Sequence, residues 1–222
     1  MPRVKLKKLP PVKEEPKEDF FRVSIGDYIN DYLKEASKIA LKLDQEMIEK
    51  IINEFYRAWR ENKNVFIMGN GGSASHSLHF ANDWGKGTYS EGKERLKTIP
   101  LVDNIDLMTA LVNDNGWENV YSDQLKGWIK RGDLLVGYSV HGGSGGDKGG
   151  VWSQNMMKAY HYAKEMGATT IGFSGYDGGA MRTFCDLCLV VPGYTTGHVQ
   201  DAQMAVSHII GNVLAQKIKG HD

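Results

Sequence analysis

The sequence is short of net charge, of long apolar runs and of cysteine, and each shortage removes a class of function. Lys plus Arg equal Asp plus Glu at 27 each, so no overall field draws the chain to nucleic acid or to an anionic membrane. Any anion it binds must be held locally. No run approaches the roughly 20 apolar residues of a membrane span, and the opening MPRVKLKKLPPVKEEPKEDF lacks the unbroken apolar core of a signal peptide. The expected location is the cytoplasm. The two cysteines, Cys185 and Cys188, form one CxxC inside TFCDLCLVV. A redox pair would place its first thiol at a helix start, where the helix dipole lowers the thiol pKa. These lie on a strand-like run and read as half-buried apolar thiols.

What is present describes a foldable chain. Hydrophobic residues make up 41% and charged ones 24%, proportions of a globular protein rather than a disordered one. At 222 residues one buried core is expected. Residues 1–22 mix Pro, Lys and Glu with few apolar anchors and read as a loosely docked tail. The remaining 23–222 read as a single domain. From Ser24 the spacing turns helical, with Ile25, Tyr28, Ile29, Tyr32 and Leu33 three and four apart, and a second helix follows over about 44–61.

Beyond these helices, apolar runs alternate with helical segments. Strands are expected at 64–69, 98–102, 133–140, 169–175 and 186–193. Helices are expected near 73–84, 105–112, 116–130, 153–166, 176–183 and 198–218. Continuous apolar runs separated by helices imply a parallel sheet covered on both faces. The fold class is therefore α/β: a three-layer, five-stranded parallel sheet with an N-terminal helical extension. In such sheets ligands bind beyond the carboxyl ends of the strands. There the sequence places GNGGSAS, VDN, HGGSGGDKGG, SGYDGG and PGYTTGH.

Gly69-Asn70-Gly71-Gly72-Ser73 joins a strand to a helix, so backbone N–H groups and the helix dipole could meet an anion. A tight turn with Ser73 as helix cap accounts for the same residues. It has neither the GxxxxGK[ST] of a P-loop nor a full GxGxxG. His79 and Asp83 stand four apart on one helix face, a spacing that suits two ligands of one metal ion, an acid/base pair or a plain surface pair. Gln200 and His208 lie eight apart, about 12 Å along a helix axis. Two histidines, a glutamine and a carboxylate suit a divalent ion such as zinc.

The stretches GNGGSASHSLHFANDW, VNDNGWENVYSDQL, GDLLVGYS, SQNMMKAYHYAKEMGATTIGFSGYDGG and VQDAQMAVSHIIGNVLAQKI resemble, in this order, the sugar isomerase (SIS) domain of the phosphoheptose isomerases. The resemblance implies conversion of sedoheptulose 7-phosphate to D-glycero-D-manno-heptose 7-phosphate. It implies that Asn70, Gly71, Gly72 and Ser73 form the first substrate loop, that Asn113 and Asp114 meet the sugar, and that Ser139 opens the phosphate loop. It further implies a zinc set of His79, Asp83, Gln200 and His208, with Asp83 as catalytic base and His208 as acid, and a homotetramer.

Two departures from the family pattern stand out. Asp83 occupies a position where the family has Glu. After Ser139, Val140 and His141 replace two hydroxyl-bearing residues, and a glycine-rich insertion follows before the pattern resumes at SQNMMKAY. The last phosphate serine is Ser144 by distance or Ser153 by similarity to the helix start, and Ser153 is preferred. Lys148 offers a charge in place of hydroxyl contacts, and His141 offers a contact or an acid/base group. A related isomerase with another phosphosugar and a non-catalytic phosphosugar-binding module are the alternative readings.

Overall fold

A computed structural model describes residues 24–143 and 153–221. The expected tail over 1–22, Ser144 and Lys148 lie outside the described residues. Five strands, β1 (Asn64–Gly69), β2 (Lys97–Pro100), β3 (Leu134–Tyr138), β4 (Thr169–Ser174) and β5 (Leu187–Val190), form one sheet in the order β2-β1-β3-β4-β5. Every neighbouring pair is parallel. All five carboxyl ends therefore open on one edge, as the alternating pattern required.

Among the described residues eight α-helices accompany the sheet: α1 (Ile25–Leu41), α2 (Gln45–Arg60), α3 (Gly72–Gly87), α4 (Ile105–Asn115), α5 (Val120–Leu125), α6 (Gln154–Glu165), α7 (Gly179–Phe184) and α8 (Thr196–Lys219). The period-2 alternation of the strands divides the core in two. Val65 and Ile67 of β1 pack with residues of α1, α2, α3 and α8. Phe66 and Met68 pack on the opposite face with residues of α5, α6 and α7.

Side-chain caps mark where helices begin: the Asp27 N–H donates to Ser24 Oγ, Met47 N–H to Asp44 Oδ1, Leu107 N–H to Asn104 Oδ1 and His198 N–H to Thr195 Oγ1. The starts of α3, α6 and α7 carry no side-chain cap. Each follows a strand's carboxyl end; at α7 the Gly179 and Met181 N–H groups are taken by Asp177 Oδ1 and the Gly142 carbonyl, so α3 and α6 are the starts that turn first-turn N–H groups to the edge where a ligand is expected.

One expected helix is corrected. The stretch 116–130 holds a 3-10 turn (Trp117–Asn119) and the six-residue α5. Gly116 at φ 85° and Gly127 at φ 80° break it at both ends with a backbone that helices do not contain. The cysteine reading holds. Cys185 is an extended residue after α7, Cys188 lies in β5, and both are partly buried free thiols. Burial pushes the Cys185 thiol up to about 12, the opposite of redox activation. No helix among the described residues is long and apolar enough to cross a membrane.

The residues after β3 are clamped to the β4–α7 loop. The Met181 N–H donates to the Gly142 carbonyl at 2.9 Å, and Gly142 has φ 66°. A Cβ there would overlap the Gly178 carbonyl. Gly142→Ala should therefore cost on the order of 2 kcal/mol, lowering the urea midpoint without changing the slope. An unchanged midpoint would show that this loop is not clamped.

Candidate functional site

Two helices carry the groups that converge. Helix α3 leaves the end of β1 and lies beside α8, touching it near both ends. The Gln200 amide packs directly over Gly72, where a methyl would come within 2.5 Å of its Nε2. Two turns along α3, His79 Nε2 lies 3.2 Å from His208 Nε2 and 3.1 Å from Asp83 Oδ2. His208 Nε2 lies 3.6 Å from the same carboxylate oxygen. A ligand atom from each of these three side chains falls within 4.8 Å of the others.

Stability does not account for this convergence. The three side chains are 44%, 35% and 49% exposed, and exposed pairs are worth about 0–1 kcal/mol. Two imidazole nitrogens facing each other beside one carboxylate form a donor set that a zinc-like divalent ion fits. The helix pairing brings His208 up to His79 and Asp83 from 129 residues away. Gln200 stands apart from the three, against Gly72 at the other end of the pair.

That other end opens on a cavity of about 250 Å³ at the carboxyl edge of the sheet. Its polar lining comes from the hydroxyls of Ser73, Ser139, Ser153 and Thr196, the amides of Asn70 and Gln200, and His141. Ser139 Oγ accepts from the Gly143 N–H at 3.2 Å, which folds the β3 loop over its own serine. Ser153 caps α6 in a left-handed conformation, φ 59° and ψ 39°. Its hydroxyl accepts from Asn70 Nδ2 at 3.3 Å.

Asn70 is held from several sides. Its Oδ1 accepts from Asn155 Nδ2 at 2.9 Å and from the Tyr121 hydroxyl at 3.2 Å, while its Nδ2 donates to Asn155 Oδ1 at 3.1 Å. Asn155 and Tyr121 escaped the sequence reading, as did Thr196. Their type and spacing carry no signal, since their roles come from burial and from contacts 51 to 85 residues distant. His76, one turn before His79, was also missed. It is buried with Nδ1 unpartnered, and burial holds its pKa below the ordinary histidine range.

Asn113 and Asp114 are not part of this cavity. Asn113 Nδ2 donates to Asp114 Oδ1 at 2.8 Å. Asn113 lines a larger cavity, about 520 Å³, between α4 and the Asn70-Gly71 turn. Asn70 borders both, so the two hollows share one wall.

The family description "SIS domain" matches residues 27–175. The chain is 34% identical over 188 residues to the phosphoheptose isomerase of Clostridium acetobutylicum, covering 84% of this chain and 91% of that protein. The chain belongs to the SIS domain family, in its phosphoheptose isomerase branch. A second such isomerase, from Helicobacter pylori, is 33% identical over 80% of this chain and 87% of its own length. The solved structure of a phosphoheptose isomerase from Francisella tularensis superposes with a TM-score of 0.78 at 20% identity, covering 88% of this chain and all of that one. Its likeness bears on the SIS fold, and the sequence relatives place the chain among enzymes.

The His79, Asp83 and His208 group of this SIS domain should bind zinc in a calorimetric titration. His208→Ala should weaken that binding on the order of 100-fold, and Gln200→Ala should weaken it less. Equal affinity in wild type and His208→Ala would remove the cluster as a metal site.

Proposed function

We propose that the protein is an aldose-ketose isomerase that interconverts sedoheptulose 7-phosphate and D-glycero-D-manno-heptose 7-phosphate, and that residues 23–222 form its single SIS domain. One observation carries this reading: the α3–α8 pair joins a His/Asp/His group to a cavity rich in hydrogen-bond donors. Ser73 to His79 is about 9 Å along α3, and Gln200 to His208 about 12 Å along α8. That span is comparable with the reach of an extended seven-carbon sugar phosphate. The phosphate end then occupies the cavity of Ser73, Ser139, Ser153, His141 and Gln200, and the carbonyl end meets Asp83 and His208.

The reaction moves a carbonyl from C2 to C1. The Asp83 carboxylate removes a proton from C1, which lies alpha to the C2 carbonyl, while His208 delivers a proton to O2 and forms the enediol. Return of a proton to C2 and loss of the O1 proton leave the aldehyde at C1. A divalent ion such as zinc would be held by His79, Asp83 and His208 and would supply Lewis-acid polarisation of the carbonyl; Gln200, the further ligand the resemblance implies, lies at the other end of the helix pair against Gly72. Asn70, fixed by Asn155 and Tyr121, positions the Gly71-Gly72 turn against the substrate, with Asn113 and Asp114 across the shared wall. The distant phosphate contributes binding energy that orients the reacting carbons.

Val140 and His141 favour a second reading, a different phosphosugar, because they stand at the phosphate end where the family carries hydroxyls. The exposed apolar side of α1, with Ile25 at 82%, Ile29 at 51% and Leu33 at 62%, supports assembly as a homo-oligomer, in the family's manner a tetramer.

Zinc-loaded protein incubated with sedoheptulose 7-phosphate should give the heptose product. Asp83→Asn and His208→Ala should each lower kcat by about 100-fold or more. Absence of turnover with the metal bound would sink the substrate assignment.

A further inference from the structure

Helix α4 stands away from the body of the domain. Its eleven residues are capped at the start by Asn104, whose Oδ1 accepts from the Leu107 N–H at 3.0 Å, yet not one of them is buried. Met108, Leu111 and Val112 turn inward and reach the core only in part. Between this face and the Asn70-Gly71 turn lies the cavity of about 520 Å³, within the range of about 300–1,000 Å³ that small-molecule sites occupy. Its floor is held from the other side, where the Tyr121 hydroxyl and the paired amides of Asn70 and Asn155 fix the turn.

The two neighbouring hollows have opposite chemistry. The small one is lined by hydroxyls, whereas the larger takes its walls from Ala74, Val102, Ile105, Met108, Val112 and Trp117. Its polar side chains are mostly engaged by the protein itself. Asn70 and Tyr121 bond each other, and Thr109 Oγ1 turns back to the Ile105 and Asp106 carbonyls at 2.9 and 3.0 Å. Asn113 keeps an acceptor: its Nδ2 donates to Asp114 Oδ1 at 2.8 Å, and its Oδ1 has no partner among the described residues. A sugar chain carries a hydroxyl on nearly every carbon, and one amide oxygen cannot pair them all once they leave water. An apolar body with a single donor leaves nothing unpaired. The indole of Trp117, 49% exposed, and the Met108 thioether are surfaces that favour an aromatic ring.

We propose that the α4 cavity is a second ligand site, for an uncharged aromatic molecule that carries one hydrogen-bond donor. The ring packs against Met108, Val112 and Trp117, and the donor meets Asn113 Oδ1. Asp114 does not line the cavity and remains for the sugar contact that the resemblance implies. The site rests on this cavity and not on the isomerase reading. Gly71 lines it and Gly72 lines the small cavity, so the two ligands sit on opposite sides of one glycine turn.

The probe is N-phenyl-1-naphthylamine, a neutral aryl amine whose emission rises in apolar surroundings, titrated into the zinc-loaded full chain. One saturable site per chain is expected. Val112→Trp, which fills the cavity, and Thr109→Trp, which enters it from an exposed position of α4, should each weaken binding by about 10-fold or more. Asn113→Leu should weaken it by about 3- to 10-fold. Thermal melting separates binding from folding, and Thr109→Trp serves if Val112→Trp unfolds. Binding indifferent to both tryptophans in folded protein would overturn the proposal. Binding lost instead on Ile29→Glu would do the same, since it would put the probe on the apolar side of α1. A wild type that takes up no probe also sinks it; if Val112→Trp then dissociates the assembly in sedimentation velocity, the occupant is a second copy of this chain.

Discussion

The indole of Trp84 locks α3 to α8, and most of the site's geometry follows from that contact. Trp84 is fully buried, meets Phe55 edge-on at 4.6 Å, and donates from Nε1 to the Ser207 carbonyl at 3.0 Å. Gly211 of α8 lies so close that a Cβ would stand 3.0 Å from the indole Cδ1. The residue after Ser207 is His208. Fixing the Ser207 carbonyl fixes the direction in which His208 leaves the helix, and a slip of one residue would rotate it by about 100°. The encounter of His208 with His79 is thus a consequence of core packing one turn away. Ser207 Oγ also pairs with the Tyr138 hydroxyl at 2.8 Å, which ties the same turn of α8 to the central strand β3.

The opposite end is organised by polar bonds rather than by packing. Asn70 and Asn155 exchange hydrogen bonds across the ends of β1 and α6, and the Tyr121 hydroxyl reaches both Gly69 and Asn70. Burial raises the Tyr121 pKa well above the ordinary tyrosine value, which keeps it a neutral donor. A fully paired buried network of this kind is stiff, because breaking any member strands its partner. It holds the first glycine turn and the start of α6 at a fixed separation, and the small cavity lies between them. The site therefore has an end fixed by aromatic packing and an end fixed by amide pairing, with helices α3 and α8 as the rulers between.

The fold was legible because its signals are local. Strands buried on both faces read as apolar runs, and α1 and α2 show their period within a few turns. The segment 116–130 was misread because apolar spacing persists through Gly116 and Gly127, whose backbone geometry no periodicity records. The site was legible only in part. His79 with Asp83 stayed ambiguous until α8 brought His208 against them, and resemblance to a family supplied that partner before geometry did. Asn155, Thr196 and Tyr121 have no local signature, since an asparagine that pairs another asparagine 85 residues away looks like any surface amide. Asn113 and Asp114 were expected to meet the sugar, and Asn113 lines the larger cavity on the far side of Asn70 from the serines.

The two departures from the family pattern do not carry equal weight. Asp83 is one methylene shorter than the family's glutamate, yet its Oδ2 already stands 3.1 Å from His79 and 3.6 Å from His208. The shorter side chain still brings a carboxylate oxygen to both imidazoles. At the other end no such compensation restores the lost hydroxyls. Val140 and His141 line the small cavity there.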